Sequence, residues 1–151
     1  MTQTILVTGA SKGIGAATAR RLARDGFDII VHYNSDRDGA QSVLDDVMAA
    51  GRSGRLISFD IANRDATRTA IEDDIAQHGA PYGVVLNAGL TRDAAFPALE
   101  DDDWDSVLHT NLDGFYNVIK PVIMPIIQRR KGGRIVALTS IAGLAGNRGQ
   151  V

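Results

Sequence analysis

Cysteine is absent from the 151 residues, so neither a disulfide framework nor a thiolate-held metal belongs to this sequence. No long apolar run occurs near the amino terminus. Ile5-Leu6-Val7 is too short for a signal core or a membrane span, and no basic segment precedes it. Charge of one sign is not in excess: 16 Lys and Arg against 18 Asp and Glu leave a net −2, which gives no reason to expect a nucleic acid or an anionic membrane as partner. No metal site is expected. These absences leave a cytoplasmic enzyme or binding protein as the expected class. The length suits a single domain able to bury a sizeable core, and apolar and charged shares of 44% and 23% are those of an ordinary globular chain.

What is present begins with Leu6-Val7-Thr8-Gly9-Ala10-Ser11-Lys12-Gly13-Ile14-Gly15. A strand-like run, residues 4–8, enters a turn with three glycines, and Ala16-Ala17-Thr18-Ala19-Arg20-Arg21-Leu22-Ala23 continues at helical period. Glycine permits positive φ and lets backbone come close to another group. The helix that follows presents unpaired N–H groups and the positive end of its dipole, which suits a pyrophosphate. Two familiar glycine loops are missing. An ATPase-type loop needs Gly-Lys-Ser or Gly-Lys-Thr, whereas Lys12 precedes Gly13 and Ile14 follows it. Gly-x-Gly-x-x-Gly does not fit either. The pattern is Thr-Gly-x-x-x-Gly-x-Gly.

With that pattern the chain resembles the short-chain dehydrogenase/reductase family, and the resemblance extends over its whole length. It implies an α/β, doubly wound Rossmann-type parallel sheet, and residues 1–151 as the amino-terminal portion, about five strands, of a larger single domain. It further implies nicotinamide-cofactor binding by Gly9, Ala10, Ser11, Lys12, Gly13, Ile14 and Gly15. Strand–helix alternation recurs after the turn. Asp28-Ile29-Ile30-Val31-His32-Tyr33 reads as a strand buried on both faces, followed by a helix over 37–50. Strands then fall at 54–60, 82–86 and 133–139, with a helix over 64–77.

At the second strand's tip, NAD enzymes usually place a carboxylate for the ribose 2′-hydroxyl. Here Asn34 and Ser35 are neutral, with Lys12 in the glycine turn, so NADP(H) is favoured. Asp36 lies slightly further on and could swing in, and Asn34 and Ser35 also suit a helix cap. Asp60-Ile61 ends the third strand. The resemblance gives Asp60 to the adenine and packs Ile61 on it, while Asp60 or Asn63 would also serve as a cap. Asn87-Ala88-Gly89 matches three of the family's four residues, with Leu86 in place of the first Asn. Asn87 would tie adjacent strands through its amide, and Ala88 and Gly89 would leave space for the cofactor ribose.

Residues 90–97 are expected to loop over the site, and Glu100-Asp101-Asp102-Asp103 to open a long helix. Trp104, Val107, Leu108, Leu112, Phe115, Val118 and Ile119 recur at helical spacing and predict a buried stripe; the resemblance implies that part of it faces another subunit in a homotetramer or dimer. Pro121 and Pro125 predict a bend or an early end. The resemblance places two residues in the catalytic set. Asn111 would fix a water through its carbonyl, and Ser140, at the fifth strand's tip, would hydrogen-bond the substrate carbonyl, although a plain turn hydroxyl fits as well. Tyr116 and Lys120 form a literal Tyr-x-x-x-Lys, but the family's pair comes about a dozen residues after the Ser. That pair would lie beyond Gly146-Asn147-Arg148-Gly149-Gln150.

Thr91-Arg92-Asp93 and the 146–150 segment resemble most the branch of the family that uses NADPH to reduce 3-oxoacyl thioesters on acyl carrier protein. Arg129, Arg130 and Lys131 would then dock an acidic carrier or form a solvated basic turn. The alternatives are another ketone or alcohol substrate, or a non-catalytic nucleotide-binding short form. The 151 residues alone are expected to be inactive.

Overall fold

The computed structural model describes residues 3–150. Strands β1 (Thr4–Val7), β2 (Asp28–Tyr33), β3 (Gly54–Ser58), β4 (Gly83–Leu86) and β5 (Arg134–Ala137) form one parallel sheet in the order β3-β2-β1-β4-β5. Between them run helices α1 (Gly13–Arg24), α2 (Arg37–Ala49), α3 (Arg64–His78), α4 (Asp101–Leu108) and α5 (Gly114–Gln128), with a short α6 (Ala142–Ala145) after β5. This is the doubly wound Rossmann-type sheet that the alternation implied.

Strand pleating explains why the central strands read as unbroken apolar runs. Ile5, Val7, Ile29 and Val31 point to one face, where they meet Ala16, Ala19 and Ala23 of α1 and Val43 and Val47 of α2. Leu6, Ile30, Val84 and Leu86 point to the other, against Ile71 of α3 and Val118, Val122 and Ile126 of α5. The alanines on α1 bring its axis close to the sheet, which fixes the preceding turn at the tip of β1. The sheet reverses its winding between β1 and β4, the crevice where ligands bind in open α/β folds.

Three expectations meet corrections. Asp36 caps α2, its Oδ1 accepting from Gly39 N at 3.0 Å, so Asn34 and Ser35 are left clear of that duty. Pro121 and Pro125 do not end their helix, for α5 continues through both to Gln128. Each proline removes one backbone donor. The burial of Val118, Val122 and Ile126 on the sheet keeps the helix in place regardless.

The third correction concerns the apolar stripe. Residues 101–128 are not one uniform helix, because a π-helical stretch, His109–Asp113, joins α4 to α5, with Gly114 N donating to His109 O. The wider turn shifts the helical phase. Val118 faces the core, whereas Trp104, Leu112 and Phe115 are 44%, 65% and 44% exposed.

Asn117 sits in α5 with 2% exposure, donating from Nδ2 to Ile61 O at 2.9 Å and accepting Arg64 Nε at 3.1 Å. It therefore holds the chain just past β3 against α5. Asn117→Ala is expected to cost about 2 kcal/mol, the usual penalty for orphaning buried polar groups. A urea midpoint equal to wild type would contradict that role.

Candidate functional site

The ends of β1, β2, β3 and β4 border a cleft of about 630 Å³. Gly9, Ser11, Lys12, Asn34, Ser35, Asp60, Ile61, Asn87, Ala88 and Gly89 all line it, gathering residues up to 80 positions apart in sequence. Ala10, Gly13, Ile14 and Gly15 do not line it. Ala10 is fully buried, Gly15 is packed inside the turn, and Ile14 is 67% exposed at the outer start of α1.

The three glycines serve different ends. Gly9 has φ +62, and a Cβ there would come within 2.9 Å of Ala88 Cα. Gly13 has φ +56 with open space around it. Gly15 is excluded from bearing a side chain by crowding, since a Cβ would lie 2.2 Å from Gly9 O and 2.4 Å from Asn87 Nδ2. The turn is thus pinned from below by β4. Asn87 Nδ2 donates to Thr8 O at 2.9 Å and to Gly9 O at 3.1 Å. Thr8 Oγ1, nearly fully buried, accepts from Asn87 N and Ala88 N at 2.9 and 3.0 Å.

The start of α1 differs chemically from the starts of α2 and α3. Asp36 and Asn63 cap those two through their side chains, and each has an Asp in its first turn. The residue before α1 is Lys12, which makes no side-chain cap, and no acid follows in the first turn. An uncapped helix start with a cation beside it fits an external anion such as a pyrophosphate. At the β2 tip the carboxylate of Asp36 is engaged by Gly39 N, while Asn34 and Ser35 are exposed beside the cleft. Past β3, Asn63 is the cap and Asp60 Oδ1 accepts from Ala62 N at 3.0 Å.

The sequence marks His32 only as part of a strand. It is 2% exposed yet borders the cleft. Its Nδ1 accepts from Gly9 N at 3.0 Å, Nε2 lies 2.9 Å from Phe59 O, and the ring packs on Phe59. Because a carbonyl only accepts, Nε2 carries the hydrogen and Nδ1 offers its lone pair. Burial pushes the imidazole pKa down to about 4, against smaller upward pulls from the Phe59 carbonyl and Asp60. The signal in the sequence is one polar residue inside an apolar strand, one position before its last residue.

Asn111 and Ser140 line a second cavity of about 240 Å³ with Leu90, Trp104, Val107 and Leu108. Asn111 lies in the π-helical stretch, where its side chain grips both backbone polar groups of one residue in the loop after β4. Oδ1 accepts from Leu90 N at 2.9 Å and Nδ2 donates to Leu90 O at 2.8 Å. Leu90 also lines the first cleft, so Asn111 braces the wall between the two spaces. Ser140 is exposed, and its Oγ accepts from Ala142 N at 3.1 Å, which leaves the hydroxyl hydrogen to donate. Around this cavity the 90–97 loop is stitched down by Ala94 N to Gly149 O at 2.8 Å and by the Arg92–Asp103 ion pair at 3.0 Å.

Tyr116 and Lys120 line neither space, and Tyr116 lies under the Arg64 guanidinium, 5.4 Å from its ring centre. Arg129 is half-buried and donates to Ala80 O and Gly132 O, so it belongs to the fold rather than to a solvated or docking basic turn.

Comparison with known proteins places this geometry. The model of the short chain dehydrogenase family matches residues 3–151. A 3-oxoacyl-[acyl-carrier-protein] reductase of Aggregatibacter actinomycetemcomitans is 58% identical over 151 residues, all of this chain and 62% of that protein. One from Staphylococcus epidermidis is 37% identical over 150 residues, 99% of this chain and 61% of the relative. The chain therefore spans about three fifths of the length of the curated relatives it matches. Among solved structures, a gluconate 5-dehydrogenase from Burkholderia cenocepacia in complex with NADP and tartrate superposes with TM-score 0.91 at 31% identity, covering 99% of this chain and 58% of the other. An acetoin dehydrogenase from Enterobacter cloacae gives 0.92 at 32%, covering 99% and 60%.

Proposed function

This chain belongs to the short chain dehydrogenase family, and we propose that the whole protein uses NADPH to reduce a 3-oxoacyl thioester, carried on acyl carrier protein, to its 3-hydroxyacyl form. The observation that carries this reading is that two spaces lie side by side and share Leu90 as a wall. One is a cleft with Lys12 beside neutral Asn34 and Ser35, the other an apolar-walled cavity with Ser140 at its edge. The identity to the Aggregatibacter reductase supports the substrate class.

Each group has a part. The uncapped start of α1 and Lys12 bind phosphate, the latter beside a ribose 2′-phosphate. Asp60 and Ile61 hold the adenine end, while Ala88 and Gly89 leave room for ribose. NADPH supplies the hydride when bound. Ser140 Oγ–H donates to the ketone oxygen and so orients the carbonyl and stabilises the charge that grows on it. Asn111 keeps the wall between donor and acceptor spaces in place through Leu90. The resemblance puts the acid that protonates the alkoxide, a Tyr paired with a Lys, after Gln150. The exposed Leu112 and Phe115 support a homotetramer or dimer.

The full-length protein titrated with both reduced cofactors tests this. NADPH is expected to bind at least about tenfold tighter than NADH, and Lys12→Ala to remove most of that difference by deleting one charge-assisted contact. Equal or tighter binding of NADH would refute the cofactor assignment. Turnover of acetoin or gluconate-type substrates with none of a short 3-oxoacyl thioester would refute the substrate assignment.

A further inference from the structure

We propose that His32 is a positioning residue of the nucleotide site: its Nδ1 binds the Gly9 N–H and thereby sets which backbone donors of the turn are left to meet the pyrophosphate. The inference rests on the nucleotide reading given above and adds a residue to it. Two consecutive N–H groups at the end of β1 are committed to His32, Gly9 N to Nδ1 at 3.0 Å and Ala10 N to the backbone carbonyl at 2.8 Å. Both therefore turn toward β2. The donors that remain belong to the residues after them, at the start of α1, where no side-chain cap competes.

The ring is fixed independently of Gly9. Its Nε2–H is anchored on Phe59 O at 2.9 Å, and it packs on the Phe59 ring at a centroid distance of 4.1 Å. One imidazole thus ties together the ends of three neighbouring strands, β1, β2 and β3, at the floor of the cleft. Gly9 needs such a tether. At φ +62 it occupies a region that glycine enters without preference, so its own backbone does not select the conformation. Asn87 fixes the Gly9 carbonyl from the β4 side, and His32 fixes the Gly9 amide from the β2 side.

Two substitutions separate this role from packing. Asn places its Oδ1 where Nδ1 stands and keeps the acceptor for Gly9. Gln reaches the Nε2 position, keeps the donor for Phe59 O, and loses the acceptor. In the full-length protein, NADPH and NADH dissociation constants are measured with the unfolding midpoint and the amide hydrogen exchange of Gly9. His32→Gln is expected to weaken the preferred dinucleotide about tenfold or more and to speed Gly9 exchange, while His32→Asn stays within about threefold of wild type on both, whatever the order of their unfolding midpoints. The inference is overturned if affinity follows the unfolding midpoint instead of the retained acceptor. It is equally overturned if His32→Gln binds as tightly as wild type. Failure of the wild type to bind either cofactor would instead sink the nucleotide reading, and this inference with it.

Discussion

Gly15→Ala in the full-length protein is expected to lower unfolding free energy by about 3 kcal/mol or more and to weaken dinucleotide binding at least about a hundredfold. The added methyl would sit 2.2 Å from Gly9 O and 2.4 Å from Asn87 Nδ2. Those two atoms bond each other at 3.1 Å, so the methyl wedges into the link between the β1 turn and the tip of β4. Neither neighbour can retreat cheaply, because Asn87 Nδ2 also holds Thr8 O at 2.9 Å and the other is backbone. Overpacking of this kind typically costs 1–3 kcal/mol when flexible side chains give way, roughly, and more when backbone must move. Alanine's better helix propensity returns only about 1 kcal/mol, so the clash decides the sign. Gly13→Ala is the contrast. Nothing lies within 4 Å of its Cβ, and only φ +56 opposes it, a strain of about 1–2 kcal/mol. Urea unfolding of both variants checks the order. A Gly15→Ala midpoint at or above that of Gly13→Ala would refute the crowding argument.

Acid is expected to remove about 3 kcal/mol of stability through His32 alone. In the unfolded chain the imidazole titrates near its ordinary 6.5, whereas in the fold burial holds it to about 4. Between those values the unfolded state binds more protons than the folded one, so stability falls as pH drops from 6.5 toward 4. It is flat above 6.5, with a slope of about 1.4 kcal/mol per pH unit inside the window. Below 4 both forms are charged and the contribution is spent. A protonated ring also carries a hydrogen on Nδ1, which then opposes the Gly9 N–H instead of accepting it. Carboxylates titrate in the same range, so the measurement is a difference: urea unfolding of wild type and His32→Asn at pH 7.5, 6.5, 5.5 and 4.5. The gap between the two is expected to close or invert by about 2.5 kcal/mol between pH 7.5 and 4.5. A constant gap would contradict the depressed pKa.

Much of the scaffold was readable along the chain. Asp28–Tyr33 was bounded correctly because a strand covered on both faces is apolar end to end. The helices over Arg37–Ala49 and Arg64–His78 fell within one residue of their expected limits, since each begins at a local cap and ends at a glycine or just before one. The sequence marks Asn87 as a tie between strands, and the structure shows one. Along residues 101–128, by contrast, helical spacing gave an apolar face without saying what would cover it. A π-helical turn then divided that face between the core and the exterior.

The sequence by itself determined the alternation of strands and helices, the glycine spacing that makes the first turn, and the residue types gathered near the strand tips. Those signals act over a few neighbouring residues, through backbone φ, side-chain period and local capping. Only the tertiary structure decided how each glycine is constrained, that Asp36 and not Asn34 or Ser35 caps α2, that Arg129 turns inward, and that His32 holds Gly9. The bonds responsible for the turn's shape join residues 23 and 78 positions apart, and no local pattern carries that distance. They exist because the parallel register stacks the ends of β1, β2 and β4 side by side, leaving buried donors and acceptors that have to satisfy one another.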